Sequence, residues 1–464
     1  MAPKRIVRPL AVAAVCLLGI LLAPPVEALS PPVINPAAVP PDTTGPETPM
    51  RMTKSCMTAF AREGSVFTDP SWPQAFLKLP EAHKWSTGRD VLVAVIDTGV
   101  NASARIPAEP GGDFIDAGAN GLADCDAHGT LVAAQIAGRP APGDAFVGVA
   151  PDARIVSIRD TSAAYVPEGT GPPPDPNDPN QSRPAGSIRT LARAIVHAAN
   201  LGARVINISE TACVKATERI DQDMLGAAVW YAVVQHDAVV VAAAGNVAAG
   251  SNSGENGLGG SCAQNPAPPA PVPSDPFGWN NVVTVVTPAW FTPLVLSVGA
   301  LTEAGQPADF SLNGPWVSVA APGERTVALS GDGPVNARPG QEGPVDISGT
   351  SFSSAFVAGV AALVRAKYPT LTANQVMDRI IRTARHPGQG HDNTQGYGPV
   401  DPVAALTWDV PLGPQVPPFP TKVIPAPPPP YKPDHRPISM VVIAVLAALV
   451  VGAASWLVRR AARR

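Results

Sequence analysis

Uninterrupted apolar runs of strand length recur along this chain, and the first of them, Val91-Leu92-Val93-Ala94-Val95-Ile96, ends directly on Asp97. A strand with one wet face alternates apolar and polar residues. A strand that does not alternate fits a parallel sheet covered on both faces. Comparable runs are Arg154-Ile155-Val156-Ser157-Ile158, Val205-Ile206-Asn207-Ile208-Ser209, Ala238-Val239-Val240-Val241-Ala242 and Val282-Val283-Thr284-Val285-Val286. Helix-compatible stretches lie between them, notably Ile188 to Asn200 and Asp221 to Gln235. The alternation predicts an open α/β sheet containing these runs, with functional groups gathered at the carboxyl ends of its strands. The central region, roughly 320 residues, is long enough to bury one substantial core.

Three short segments put chemistry at the ends of such elements: Asp97-Thr98-Gly99, His128-Gly129-Thr130 and Gly349-Thr350-Ser351. Asp97 alone is equally compatible with a turn cap, and His128 alone with a structural histidine. Together they supply an acid, a base and a hydroxyl in the order Asp, His, Ser, one of the convergent routes to nucleophilic serine catalysis. His128 opens a small-residue helix running to Gly138, and Ser351 opens another running to Val364. A Ser or Thr at a helix start is commonly a cap. Thr350 can fill that role, leaving Ser351 in the first turn beside unpaired amides that favour an anion. A fourth element is the buried run from Val239 that breaks at Gly245-Asn246. Asn after Gly is a common turn residue, but the Asn246 side chain can also donate to an oxyanion.

The flanks speak of membranes. Lys4, Arg5 and Arg8 precede an apolar run from Leu10 to Leu22, and Val26-Glu27-Ala28 offers small residues for cleavage, so 1–28 reads as a signal peptide. An uncleaved anchor is the alternative, although the run is short for a bilayer. Ile438 to Val458 is 21 residues long; as a helix it rises about 32 Å, enough to span the hydrocarbon layer. A buried core helix is the other reading. Arg459, Arg460, Arg463 and Arg464 follow it, and basic residues beside a span mark the cytoplasmic side. We therefore expect a single-pass type I protein of the cell membrane, its large domain extracytoplasmic, on the periplasm or cell-wall side, and its C-terminus cytoplasmic. Between 411 and 437, 12 of 27 residues are Pro, which favours an extended stalk.

With Cys16 in the signal, four cysteines remain: Cys56, Cys125, Cys213 and Cys262. An even number in an oxidising compartment predicts two disulfides, and spacing leaves all three pairings open. We favour Cys56–Cys125, clamping the N-terminal segment near His128, with Cys213–Cys262. There is no Cys-x-x-Cys pair and no compact metal-ligand set, so no metal or cofactor is expected. A formal charge of −4 without a basic stripe argues against a nucleic-acid partner.

The blocks Val93-Ala94-Val95-Ile96-Asp97-Thr98-Gly99-Val100, His128-Gly129-Thr130, Ala243-Ala244-Gly245-Asn246, and Gly349-Thr350-Ser351 followed by Val357-Ala358-Gly359 make the chain resemble the subtilisin-like serine proteases over about 80–408. With the leader, Pro-rich stalk, terminal span and four cysteines it resembles more narrowly the mycosins, membrane-anchored subtilases associated with type VII secretion. The resemblance implies a three-layer fold with a mainly parallel sheet and a serine endopeptidase acting on extended protein substrate. It assigns Asp97, His128 and Ser351 to the triad, Asn246 and the Ser351 backbone N–H to the oxyanion hole, and Ser209-Glu210-Thr211-Ala212 to the substrate cleft. The secretion membrane complex is the implied partner. The corresponding divisions are 1–28 signal peptide, 29–88 N-terminal extension, 89–408 peptidase domain, 409–437 stalk, 438–458 transmembrane helix and 459–464 cytoplasmic tail.

Several features depart from the family pattern. Thr211 and Ala212 stand where many relatives have two glycines, which predicts a narrowed first specificity pocket. Ala355 stands where a Pro commonly stiffens the turn after the nucleophile. The extension lies where many subtilases carry a removable propeptide; mycosins are understood to retain it, and Trp72 and Phe76, one helical turn apart, can anchor it. Two Pro/Gly/Asn-rich insertions, at roughly 161–187 and 248–280, are long enough to be functional loops that restrict the cleft or contact secretion machinery. Asp175 to Asn180 is a weak candidate calcium loop, its ligand geometry broken by repeated Pro. The competing functional class is a structural subunit of the secretion complex in which peptidase activity is dispensable or latent.

Overall fold

Seven strands form an all-parallel sheet in the computed structural model, which describes residues 29–168, 185–218, 220–247, 262–267, 272–340, 343–419 and 436–462. The strands are β1 Leu92–Asp97, β2 Ala108–Asp113, β3 Arg154–Arg159, β4 Val205–Ile208, β5 Val239–Ala243, β6 Val295–Leu301 and β7 Val317–Pro322. Their spatial order is β7-β6-β5-β4-β1-β3-β2, with every neighbouring pair parallel. The chain works toward one edge through β2 and β3 and toward the other from β4 onward, so the order reverses at β1. Such a reversal opens a crevice at the carboxyl ends of the strands, and β1 ends there on Asp97.

Four helices cover this sheet: α1 His128–Ala137, α2 Ile188–Asn200, α3 Asp223–Trp230 and α4 Thr350–Lys367. Helix α1 packs on α4, and α2 packs on α3. Because both faces are covered, β4 and β5 are buried at every position, which explains their lack of alternation. Helix α4 is buried from Thr350 through Arg365, including Ala355. Its small residues make that possible: a Cβ at Gly359 would come within 2.5 Å of Val149 Cβ.

One apolar run does not join the sheet. Val282–Val286 was expected as a parallel strand, but Thr284–Thr287 pairs antiparallel with Ala212–Lys215. These two short strands bury Cys213, Val286 and Trp279 against Trp316 in a satellite cluster, so the run is apolar because of that cluster. β2, β6 and β7, which were not among the expected runs, complete the sheet instead. The structure joins Cys213 to Cys262 here, and Cys56 to Cys125 near α1.

The N-terminal extension is part of the same compact unit. Ile34 is buried in the main core, Asp42 pairs with His197, and Glu47 pairs with Arg189 on α2. Met50–Met52 forms an antiparallel pair with Tyr165–Pro167, at the described start of the first insertion. Trp72 and Phe76 stack edge to face, Trp72 Nε1 donates to Glu324 O at 2.8 Å, and the Arg385 guanidinium covers Phe76. Residues 413–415 fall within the stretch expected as a stalk. Asn374 and Gln375 donate to the carbonyls of Pro414 and Gly413, and Thr372 to that of Gln415, which holds this stretch on the domain.

A separate unit contains a 26-residue helix, Arg436–Ala461. Among the described residues no helix is long and apolar enough to cross a membrane; in this one the side chains are described from Val445 onward. The signal segment 1–28 and the Asp175 to Asn180 loop lie outside the described residues.

Candidate active site

The crevice at the end of β1 collects the sequence-predicted groups from four elements. Asp97 is fully buried, and its Oδ1 accepts from Thr98 N at 2.7 Å. The same oxygen lies 2.7 Å from His128 Nδ1, while His128 Nε2 lies 3.0 Å from Ser351 Oγ. A carboxylate can only accept, so Nδ1 carries the hydrogen and Nε2 is left as an acceptor for the serine hydroxyl in the neutral ring. Ser351 is 5% exposed and the His128 side chain 25%, a cleft rather than a sealed interior.

Glycine makes this approach possible. A Cβ at Gly129 would run into the Gly99 carbonyl oxygen and lie 3.0 Å from Asp97 Oδ1. Gly349, at φ +154°, keeps open the space next to Ser351 Oγ and Asn246 Nδ2, which a Cβ there would meet at 3.0 and 3.8 Å. Helix α4 also starts differently from expectation. Gly349 is its N-cap and Thr350 its first residue. The cap is supplied from the turn after β5: Asn246 Oδ1 accepts from Thr350 N at 3.0 Å and from Thr350 Oγ1 at 3.1 Å. Thr350 does not cap because its backbone is already helical; fixing the Asn246 oxygen there leaves its amide NH₂ on the side of Ser351.

Ser209, Glu210, Thr211 and Ala212 continue from the end of β4, and all four are buried. Ser209 Oγ accepts from Asn207 Nδ2 at 2.6 Å. Ala212 lies in the antiparallel pair with Thr287 rather than on an open wall, because the chain leaves the sheet at this point. Glu210 turns inward: its Oε1 lies 3.3 Å from His128 Nδ1. Asp97, His128 and Glu210 thereby bring one ligand-type atom each within 4.8 Å of one another, a compact set that the linear spacing hid. The Asp97–His128 hydrogen bond accounts for that closeness, and we assign no metal to it.

Charge is concentrated around the ring. Burial works to lower the His128 pKa, but the Asp97 carboxylate, by charge and hydrogen bond, and then Glu210 raise it above the ordinary value; Arg338 acts the other way. Burial pushes the Glu210 carboxyl up to about 8, opposed by His128 and reinforced by Asp97, Asp126 and Asp160. Asp124 was not singled out in the sequence. It accepts from Thr98 Oγ1 at 2.8 Å and from Thr130 N at 2.9 Å, tying the Asp97 turn to the first turn of α1, and burial raises its carboxyl to about 7. The signal that could have found it is its place in Asp124-Cys125-Asp126, just ahead of His128.

Residues 88–398 match the Subtilase family (Peptidase_S8), and the chain belongs to this family of serine proteases. Among its relatives, Mycosin-1 of Mycolicibacterium smegmatis is 55% identical over 97% of this chain and 97% of its own length. The crystal structure of MycP1 from the ESX-1 type VII secretion system is 56% identical, covers 85% of this chain and 100% of its own, and superposes with a TM-score of 0.80. A chain in the periplasmic assembly from the ESX-5 inner membrane complex is 47% identical over 88% of this chain and 100% of its own, with a TM-score of 0.75. The protein is accordingly a subtilisin-like serine endopeptidase.

Proposed function

We propose that Ser351 is the nucleophile of this endopeptidase, His128 its general base and acid, and Asp97 the group that orients His128. The reading rests on one observation, the continuous chain of contacts from Asp97 Oδ1 through both ring nitrogens of His128 to Ser351 Oγ. His128 Nε2 takes the hydroxyl proton as Oγ attacks the peptide carbonyl, then returns it to the leaving amine; water releases the acyl-enzyme by the same route. Asn246 Nδ2 and the Ser351 backbone N–H stabilise the tetrahedral oxyanion. Thr211, in place of a smaller residue, narrows the pocket for the residue before the cleaved bond.

The relatives in ESX systems support an association with a type VII secretion membrane complex, where the protein processes a secretion substrate from the extracytoplasmic side. The ESX-5 assembly also favours a second role, as a stabilising component of that complex. For the anchor, the helix Arg436–Ala461 would rise about 39 Å, its apolar side chains Val445, Leu446, Leu449, Val450 and Val451 are exposed, and Arg459 and Arg460 lie in its last turn. These features support a single span with a cytoplasmic end.

A serine-directed fluorophosphonate probe and a peptide library test the assignment together. Intact protein should be labelled and should cleave after small residues in preference to Phe or Tyr. Ser351→Ala should lose labelling and about 10³-fold or more of the cleavage while retaining its fold. Labelling unchanged by that substitution would overturn the catalytic roles.

A further inference from the structure

Glu210 is a buried carboxyl that the triad mechanism does not use, and it sits on the same ring nitrogen that Asp97 does. Asp97 Oδ1, at 2.7 Å, takes the Nδ1 hydrogen bond, and Glu210 Oε1, at 3.3 Å, faces the same N–H as a second acidic oxygen. The two come from different strands: Asp97 ends β1, and Glu210 lies two residues beyond β4, its neighbour in the sheet. Sheet register therefore sets the spacing between them.

We propose that Glu210 is a positioning residue for the general base, a second carboxyl group that sets the proton affinity of His128 through Nδ1. The proposal rests on the assignment of His128 as base, and it adds a residue that acts only through the ring. Its physical content is reciprocal charge coupling. Ionised Glu210 tightens the hold of His128 on a proton, and a proton on His128 weakens the hold of Glu210 on its own. Every charged group facing the pair has a defined sign. Asp97 from β1, Asp126 from the turn before α1 and Asp160 after β3 oppose the ionisation of Glu210, while Arg338, from the hairpin of Ala337–Gly340 with Gly343–Asp346, opposes protonation of His128.

The sequence holds a narrower consequence. A residue that only filled space at 210 would leave the base to titrate as a lone imidazole beside Asp97, whereas a carboxyl there makes it respond to pH over a broader range. While Glu210 keeps its proton, His128 loses its own more easily and can accept from Ser351. Once Glu210 is ionised, the imidazolium formed in the transition state is favoured more strongly.

The test is Glu210→Gln in the full chain, which preserves shape and removes the charge. The titration of His128 is followed by NMR of ¹⁵N-histidine-labelled protein, alongside the pH dependence of kcat/KM. In the variant the His128 midpoint should fall by about one pH unit, a tenfold change in the protonation equilibrium, and the acid limb of kcat/KM should move down with it. The intact protein supplies a second measurement if the variant does not fold: its His128 titration should be spread wider than a single-site curve. A shift below about 0.3 unit in a folded variant, or a single-site curve in the intact protein, overturns the proposal. NMR coupling in a protein that fails to cleave any peptide would uphold the charge coupling of Glu210 to His128 but overturn the catalytic reading of His128, and with it the positioning role.

Discussion

Asn246 has two jobs that separate by atom. Its Oδ1 caps helix α4 through Thr350, and its NH₂ is the candidate oxyanion donor. Asn246→Asp keeps an acceptor for Thr350 but replaces the donor by a negative charge. We expect kcat to fall by at least the roughly 10²–10³ that loss of one oxyanion donor costs, with little change in the denaturation midpoint. Asn246→Ala should lose activity by a similar factor and, with the cap gone, about 1 kcal/mol of stability as well. Steady-state kinetics and urea denaturation on both variants check this; equal stability losses would mean that the cap is not what Oδ1 supplies. Asp97, His128, Asn246 and Ser351 were legible because each stands where an apolar run or a small-residue helix begins or ends. Glu210 was assigned to the cleft by resemblance, and its approach to His128 was missed because it depends on neighbouring strands, which linear distance conceals.

At the scale of elements, the N-terminal extension is tied down along its described length rather than resting on the surface. Beyond Ile34 and the α2 contacts, Phe60 and Ala337 exchange backbone hydrogen bonds, Arg62 pairs with Asp346, and Cys56 is bonded to Cys125. The disulfide closes a separation of 69 residues, for which the chain-entropy account gives about 4 kcal/mol, and real losses run from about 2 upward. Replacing Cys56 and Cys125 together by Ser should lower unfolding stability by about 2–4 kcal/mol in urea. The extension should nevertheless stay folded on the domain, as read by unchanged protease resistance of residues 34–53. Release of that segment would show the disulfide to be its main attachment. The anchoring aromatic pair could be read from helical spacing, but the strand pairing with Tyr165–Pro167 could not, since edge pairing has no local signature.

Across the whole molecule, buried acids give stability a characteristic pH dependence. Burial raises Asp160 to about 7, with Thr190 and Arg193 opposing, and Asp124 and Glu210 are raised as well. The unfolded chain releases these protons in the ordinary carboxylate range, near pH 4, while the folded protein keeps them until about pH 7 to 8. Between those limits the folded state binds more protons, so their contribution is greatest in acid and is lost as pH rises. His83 and His391, lowered by burial, work in the other sense below their ordinary value. Comparing pH 5 with pH 7.5, Asp160→Asn should reduce the fall in unfolding free energy by about 2 kcal/mol. Parallel curves for the variant and the parent would show that Asp160 is ionised in the folded protein throughout.

The amino-acid sequence by itself determined the fold class and singled out Asp97, His128, Asn246 and Ser351, the groups of the proposed mechanism, in their chain order, because periodicity and terminal residues are local properties. It also carried, as composition, the expectation that both flanks are directed to a membrane. The tertiary structure decided which runs share the sheet, sending Thr284–Thr287 to a satellite pair and bringing in β2, β6 and β7. It placed the cap of α4 on Asn246, and brought the Glu210 carboxyl to 3.3 Å from His128 Nδ1. Those outcomes depend on which elements become neighbours, and neighbours are chosen by the packing of the whole core rather than by any one segment.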